Sequence, residues 1–289
     1  MRVLLLGATG TIGSAVLDSL RAGGHEVLAL ARSDEAKARV ETAGAQALTG
    51  DLRDATAWAP AVRAVDAVVH AAATFSDDMG AVDLGVIQAL IAAAGGSERK
   101  RRFLYTGGCW LYGQTGDRIA EETSPYDPLP AFAWMLENLA LLRAADCFET
   151  ILLHPAMVYE RDGGVLNRFL DSARETGRIE VWGSQEVRWP LVHREDLAEA
   201  YRLALESGAA GETYCAAAEA GRPVSALVET LGRRLGLTHP PLVRPLAEVI
   251  AEQGAWAAGP ALDQQMSGAK LRRTLGWRPV RTDALAEIA

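Results

Sequence analysis

The feature that most restricts the fold of this chain is a short apolar segment at the N-terminus, followed by three evenly spaced glycines. Residues 2–6 form the segment, and the glycines follow at intervals of three residues: Gly7, Gly10 and Gly13. Apolar residues then recur at helical spacing through residues 12–20. The pattern predicts a strand, a glycine turn and a helix, the arrangement in which a dinucleotide pyrophosphate meets a helix N-terminus.

Each glycine has a physical role in such a turn. Gly7 lets the chain leave the strand sharply, Gly10 leaves room for a pyrophosphate beside the backbone, and Gly13 lets the helix pack closely on the sheet. The N–H groups and the positive dipole end of the helix then face the phosphates. We therefore predict a cofactor loop made by Gly7, Thr9, Gly10, Thr11, Ile12 and Gly13.

Composition restricts the class of protein. The chain has 289 residues, of which 49% are hydrophobic, enough for a sizeable core in one or two domains. A net charge of −8 argues against nucleic-acid and anionic-membrane partners. We expect no membrane span, and no secretory signal because residue 2 already belongs to the first strand. Three cysteines without metal-ligand spacing predict a reduced, cytoplasmic protein with no metal site.

The ends of the second and third predicted strands indicate which nucleotide binds. Strand 26–30 is followed by Arg32 and Ser33, with no acidic residue at the position that would bind a ribose 2′-hydroxyl. This favours NADP over NAD, and the alternative is that Arg32 is a solvated loop residue. After strand 45–48, Asp51 and Leu52 either face the adenine edge or belong to the cap of the next helix.

Small residues follow the fourth predicted strand, residues 67–70. Ala71, Ala72 and Ala73 would let a flat ligand lie against the backbone at the carboxyl edge of the sheet. We expect His70, the last residue of that strand, to be satisfied by backbone groups rather than to act as a catalytic base.

Further motifs resemble those of the short-chain dehydrogenase/reductase superfamily, in its extended or atypical branch with the NAD(P)-dependent epimerases and dehydratases. Besides the glycine loop they are Gly50–Leu52, Val69–Ala73, Tyr105–Gly113, His154–Tyr159, Val192–Ala198 and Leu275–Pro279. The resemblance implies an α/β fold of Rossmann type with a doubly wound parallel sheet. It implies a dinucleotide-binding domain over 1–153, to which 190–215 return, and a smaller substrate-binding part over 154–189 and 216–289. It also implies that Thr106, Pro155 and Met157 contact the cofactor, and that a homodimer can form through residues 131–146.

The catalytic pair of that superfamily is missing. Its members use a Tyr followed four residues later by a Lys, which lowers the pKa of the phenol. The helix that should carry the pair, residues 131–142, has neither residue, and the expected positions hold Leu129 and Ala133, or Ala131 and Met135. The usual serine positions hold glycines, and Thr106 alone keeps a hydroxyl there.

Other ionisable side chains can replace the missing pair. We predict catalytic roles for Thr106, Tyr112, Glu137 and His154. Glu137 would be a base if buried on its helix, although it can equally point to solvent, and His154 is either a proton carrier or a buried structural residue. Cys109, Trp110 and Arg188 are predicted to contact the substrate, and residues 254–260 to form a loop or lid.

The sequence predicts an NADP-dependent oxidoreductase that acts on a small carbonyl or sugar-like substrate with non-standard proton-transfer residues. Two alternatives stay open because the usual pair is absent. One is a non-redox isomerase, cyclase or lyase that uses the same pocket, and the other is a catalytically silent NADP-binding sensor.

Overall fold

In a computed structural model, which describes residues 1–96 and 99–289, strands and helices alternate over most of the chain. The strands are β1 Arg2–Leu6, β2 Glu26–Ala31, β3 Gln46–Thr49, β4 Ala67–His70, β5 Arg101–Thr106, β6 Phe148–Pro155, β7 Met157–Glu160, β8 Gly163–Gly164, β9 Glu180–Trp182, β10 Arg188–His193, β11 Thr213–Ala216, β12 Glu219–Pro223 and β13 Leu242–Arg244. The helices are α1 Thr11–Ala22, α2 Asp34–Thr42, α3 Ala55–Trp58, α4 Met79–Ala94, α5 Trp134–Ala144, α6 Asn167–Thr176, α7 Arg194–Ser207, α8 Val224–Arg234, α9 Leu246–Gln253, α10 Ala269–Leu275 and α11 Ala284–Ile288.

The chain forms two compact units. The first unit comprises residues 1–107, 134–153 and 197–214, and the second comprises 108–133, 154–196 and 215–289. None of the helices in the described residues has both the length and the apolar character that a membrane crossing requires.

The first unit is built on a seven-stranded sheet with the order β11-β6-β5-β4-β1-β2-β3. The strand pairs from β3 to β6 run parallel. Residues 3–6 of β1 and all of β4 are buried, as expected for strands covered on both faces. Because β1 lies between β2 and β4, the strand order reverses there, and ligands of such sheets bind at this point. The α/β Rossmann-type prediction is confirmed.

The second unit has two small sheets, β12-β10-β7-β8 and β13-β9. Aromatic residues fill its interior, where the rings of Phe169 and Trp189 stack with centroids 5.6 Å apart. The Trp277 indole N–H donates to the Asp196 backbone carbonyl at 2.8 Å, while the carboxylate of Asp196 accepts from two backbone N–H groups of residues 280 and 281. This contact explains the tryptophan of the C-terminal motif as a core residue.

Two sequence-based predictions of local structure are wrong. Residues 254–260 do not form a loop, because Ala255–Ala261 is a 3₁₀ helix in which Gly259 and Pro260 are buried, with the Trp110 ring packed against Gly259. The helix expected from residue 131 instead begins at Trp134, after a separate 3₁₀ turn over Pro130–Phe132.

Candidate functional site

At two positions, the glycine turn of the first unit leaves no room for a side chain. Gly7 has a φ of +90°, and a Cβ there would lie 2.6 Å from the Ala71 carbonyl oxygen. A Cβ at Gly13 would collide with the carbonyl oxygen of Gly7. The turn closes with a 3.0 Å hydrogen bond from the Gly10 N–H to the Gly7 carbonyl. The ends of β1 and β4 therefore meet at backbone contact, where the strand order reverses.

The start of α1 is electrostatically suited to an anion. Its cap residue, Gly10, supplies no side-chain oxygen, and the first turn of the helix has no acidic side chain. The N–H groups of that turn and the positive end of the helix dipole are consequently not compensated by a side-chain cap. A dinucleotide pyrophosphate is the type of group that such a helix end binds.

The end of β2, which the sequence predicts to specify the nucleotide, has more positive charge around it than the sequence indicated. Arg32 and Ser33 are exposed, and the Ser33 hydroxyl caps α2 by accepting from the Ala36 N–H at 3.2 Å. Arg39, which the sequence analysis missed, extends from α2 and donates to the Thr9 carbonyl oxygen at 3.2 Å. No sequence signal identifies Arg39, because only packing decides which face of α2 points toward the glycine turn.

Three of the residues that the sequence predicts to bind the cofactor line a small cavity. Leu52, Ala72 and Ala73 line a cavity of about 10 Å³, together with residues of α4 and His70. The carboxylate of Asp51 accepts from the Arg53 N–H at 2.8 Å, so it caps the short 3₁₀ helix that follows β3. The capping alternative considered for Asp51 is therefore observed.

A buried polar network lies beside this cavity, and it corrects the expectation for His70. His70 Nε2 lies 3.1 Å from Asp83 Oδ1 rather than against backbone groups. Asp83 Oδ2 accepts from Tyr105 Oη and from Asn138 Nδ2, both at 2.7 Å. Burial raises the pKa of Asp83, but His70, Tyr105 and Asn138 together outweigh burial and leave that pKa below its usual value. The network joins α4, β4, β5 and α5.

Thr106, at the end of β5, has a partner that the sequence did not reveal. Its Oγ1 lies 2.6 Å from the Oη of Tyr201 on α7. Tyr201 is fully buried, and burial raises the pKa of its phenol above the ordinary range. Tyr201 therefore orients the Thr106 hydroxyl as a hydrogen-bonding group and is a poor source of protons.

In the second unit, His154 is the centre of a defined hydrogen-bond arrangement. The imidazole is completely buried, its Nδ1 accepts from the Gly108 N–H at 3.1 Å, and its Nε2 lies 3.0 Å from Tyr126 Oη. An Nδ1 that accepts a hydrogen bond cannot carry a proton, so the ring proton is on Nε2 and is donated to Tyr126. Pro155 and Met157, which follow in the chain, are also buried.

Tyr112 has a different environment from the one predicted. Its Oη lies 3.3 Å from Cys215 Sγ, only 1% of the residue is exposed, and its ring makes an edge contact with His154 at 5.1 Å. Burial, then the neighbouring Cys215, raises the pKa of Tyr112 far above the ordinary value for a phenol. The structure thus gives Tyr112 a packing role beside His154 and argues against it as a proton donor.

Glu137 lacks the surroundings that its predicted role as a base requires, and Cys109, predicted to contact the substrate, is buried. Glu137 is exposed on α5, so the burial that would make it a base is missing. Cys109 is buried, and burial raises the pKa of its thiol to about 12. Its neighbour Trp110 packs on Phe132 with ring centroids 5.2 Å apart, so this pair contributes to the core of the unit.

Arg188, predicted to contact the substrate, is occupied by two carboxylates. Its Nε and Nη2 donate to Asp263 at 2.9 and 2.7 Å, and its Nη1 donates to Asp117 at 3.0 Å. A guanidinium has five N–H donors, and this arrangement uses donors on all three of its nitrogens. Arg188 therefore ties the segments of Asp117 and Asp263 to β10, and its predicted contact with the substrate loses support.

Comparisons with known proteins match the chain to a family, to relatives and to a solved structure of the same fold. Residues 3–217 match the family described as the NAD dependent epimerase/dehydratase family. A Schizosaccharomyces pombe protein designated C2A9.02 is 29% identical over 100% of this chain and 98% of its own length. The 4-hydroxy-2-methyl-3-oxo-4-farnesyl-3,4-dihydroquinoline-1-oxide ketoreductase of Stigmatella aurantiaca is 26% identical, covering 89% of this chain and 81% of its own. The crystal structure of the human epimerase family protein SDR39U1 with NADPH superimposes with a TM-score of 0.78 at 23% identity, covering 100% of this chain and 98% of that one.

Proposed function

The chain belongs to the NAD dependent epimerase/dehydratase family, and on that premise we propose that it is an NADP-dependent oxidoreductase that acts on a small carbonyl or sugar-like substrate. The observation that carries the proposal is the glycine turn of the first unit. Its two side-chain-free positions and its uncapped α1 N-terminus form a surface that fits a dinucleotide pyrophosphate.

The proposed preference for NADP rests on charge at the adenosine end. Arg32 is exposed at the end of β2, and Arg39 is hydrogen-bonded to the backbone of the glycine turn. A guanidinium binds a 2′-phosphate with charge-assisted hydrogen bonds, whereas a carboxylate at this place would bind a 2′-hydroxyl. The NADPH-bound human structure of the same fold is consistent with this cofactor.

The proposed redox chemistry follows from the cofactor and from the side chains available near the sheet edge. When bound, a nicotinamide supplies or accepts a hydride. Thr106, held by Tyr201, is the hydroxyl we propose to hydrogen-bond the substrate oxygen, and His154 is the proposed member of the proton-transfer group. The name of the Stigmatella ketoreductase supports a carbonyl as the reacting group. A homodimer through residues 131–146 stays a prediction.

The test is a screen for NADPH oxidation with a panel of aldehydes, ketones and keto-sugars, followed by identification of the product. We expect at least one carbonyl to be reduced, with one NADPH consumed per alcohol formed. Conversion of a substrate without any net change in nicotinamide absorbance would instead show a non-redox enzyme. Cofactor binding without conversion of any compound would favour the sensor.

A further inference from the structure

Arg168, in the second unit, differs from the other arginines that are not exposed. Among the residues that the structure describes, every other buried or half-buried arginine donates to an oxygen of a side chain or of the backbone. Arg168, the second residue of α6, is half-buried and has neither a hydrogen bond nor an ion pair with any described residue. Its Nε is buried without an acceptor, whereas Nη1 and Nη2, which have no partner there either, remain open to solvent.

Two aromatic rings of the same unit hold the guanidinium of Arg168 in place. Its central carbon lies 4.0 Å from the centroid of the Trp182 ring and 5.2 Å from that of the Phe169 ring. Trp182 is itself held, because its indole N–H donates to the Glu180 carboxylate at 2.7 Å. A guanidinium that stacks on a ring uses its flat face, so its N–H donors, which lie in the plane, stay available for an acceptor at the edge. The donors of Arg168 are therefore preorganised and unused.

The positive charge of Arg168 is unfavourable in these surroundings. Burial lowers the pKa of its guanidinium to about 10, although Glu180 counteracts part of this effect, so the group stays charged at neutral pH. Glu180 forms no ion pair with Arg168 and instead binds the Trp182 indole and lies 3.7 Å from Arg244. Arg168 also lies in the first turn of α6, where the positive end of the helix dipole disfavours a cation. Such a charge without a partner is typical of a residue whose partner is a ligand.

We propose that Arg168 is the centre of an anion site in the second unit, which binds a carboxylate or phosphate group of a small-molecule ligand. Two N–H donors of a guanidinium match two oxygens of either group, and such charge-assisted pairs are stronger than neutral hydrogen bonds. Nη1 and Nη2 present this edge to solvent, while Trp182 supports the face of the guanidinium. Arg168 thus offers the available guanidinium that Arg188, already bound by Asp117 and Asp263, does not.

The first test is an NMR titration of the full chain, labelled with nitrogen-15 in its arginine side chains. Inorganic phosphate and acetate are added separately, with chloride adjusted to keep the ionic strength constant, because salt screens charge interactions. The Nε–H of Arg168 is shielded from water, and its resonance is assigned by its loss in Arg168→Gln. We expect this resonance to shift with a dissociation constant of roughly 1–10 mM, since so small an anion makes one bidentate pair and little else. A shift with phosphate alone identifies a phosphate site, and a shift with acetate alone identifies a carboxylate site.

Variants separate this site from a general effect of charge. Arg168→Gln is compared with Arg273→Gln, which removes the same charge from an exposed position of α10 in the same unit. Calorimetry measures the affinity for the probe that shifts the resonance, and thermal unfolding shows whether each variant is folded. We expect Arg168→Gln to weaken binding about tenfold or more, the loss of a charge-assisted pair, and Arg273→Gln to leave it unchanged.

A third variant, Arg168→Lys, tests the bidentate contact. Lysine keeps the positive charge but has no planar pair of donors, so we expect it to bind the probe more weakly than the wild type does. Wild-type affinity in Arg168→Lys would overturn the bidentate contact and leave only an attraction of charge. If a variant does not fold, the titration of the wild-type protein still decides whether the anion binds at Arg168.

Two results would overturn the site itself. One is an Arg168 Nε–H resonance that neither probe shifts, and the other is equal affinity in wild type and Arg168→Gln when both are folded. The test is independent of the proposed redox reaction, because it uses neither cofactor nor carbonyl. A protein that reduces a carbonyl with NADPH but binds neither probe at Arg168 keeps the proposed function and loses this site. A protein that binds a probe at Arg168 but reduces no carbonyl keeps the site and loses the proposed function.

Discussion

At the scale of single residues, side-chain type proved a weaker guide than side-chain surroundings. Arg188 has the charge that a phosphate needs, but Asp263 and Asp117 already bind it. Tyr112 has the phenol that proton transfer needs, but burial against Cys215 raises its pKa. The sequence shows which chemistry is possible, and the neighbours that decide it come from distant parts of the chain.

The cysteines provide a prediction at this scale. All three are free and buried, and burial raises the pKa of each thiol, that of Cys109 to about 12. Because the thiolate is the reactive form, we expect the native protein to resist alkylation at mildly alkaline pH. Mass spectrometry of iodoacetamide-treated protein should find three modified cysteines after unfolding in denaturant and almost none before. Rapid native labelling of any thiol would contradict the burial described here.

At the scale of elements, the packing of α1 on β1 depends on the absence of a side chain at Gly13. In Gly13→Ala the new Cβ would meet the Gly7 carbonyl oxygen, so the helix must shift. We expect a loss of about 1–3 kcal/mol in the free energy of unfolding, as for overpacking in a core, together with weaker NADPH binding. Urea unfolding and fluorescence titration measure both effects.

The matched control for that substitution is Gly232→Ala in the last turn of α8. Nothing lies within 4 Å of the position of its Cβ, so alanine fits without displacement. Its higher helix propensity should stabilise the protein by about 0.5–1 kcal/mol and leave NADPH binding unchanged. If both substitutions changed the free energy of unfolding and the NADPH affinity in the same way, the close contact between Gly13 and Gly7 would not be the reason why alanine is disfavoured at residue 13.

The buried carboxylate of Asp83 gives the second prediction for elements, because it links α4 to β4, β5 and α5. Its pKa is lowered in the folded protein relative to the ordinary 3.8, so its charged form adds stability above that pH. The contribution is lost as the pH falls from about 4 through the lower folded pKa. We expect Asp83→Asn to destabilise the protein by about 1–3 kcal/mol at pH 7, as for a disrupted buried hydrogen-bond group.

The pH dependence is the specific part of that prediction. As acid protonates Asp83 in the wild type, the difference in unfolding free energy between wild type and Asp83→Asn should shrink. Urea unfolding of both proteins at several pH values between 7 and 3 measures it. A difference that stays constant over this range would mean that the charge of Asp83 does not contribute to the network.

At the scale of the whole molecule, local patterns predicted the strands, the glycine turn and the α/β fold class. The alternation of apolar segments and glycines is a property of neighbouring residues, so it can be recognised in the sequence before the packing is known. The candidate site was harder because its pairs are distant in sequence: Tyr126 and His154 are 28 residues apart, and Thr106 and Tyr201 are 95 apart. Only the folded chain brings these side chains to hydrogen-bonding distance.

The central claim is that the glycine turn of the first unit binds NADP(H), and a calorimetric titration with NADPH, NADP, NADH and NAD tests it most directly. We expect the 2′-phosphorylated forms to bind roughly tenfold more tightly or better, the effect of a charge-assisted hydrogen bond. Arg32→Asp should abolish that preference, while Arg273→Asp, the same charge change at an exposed position of α10, should not. Equal affinity for NADH and NADPH, or no binding of any dinucleotide, would contradict the account.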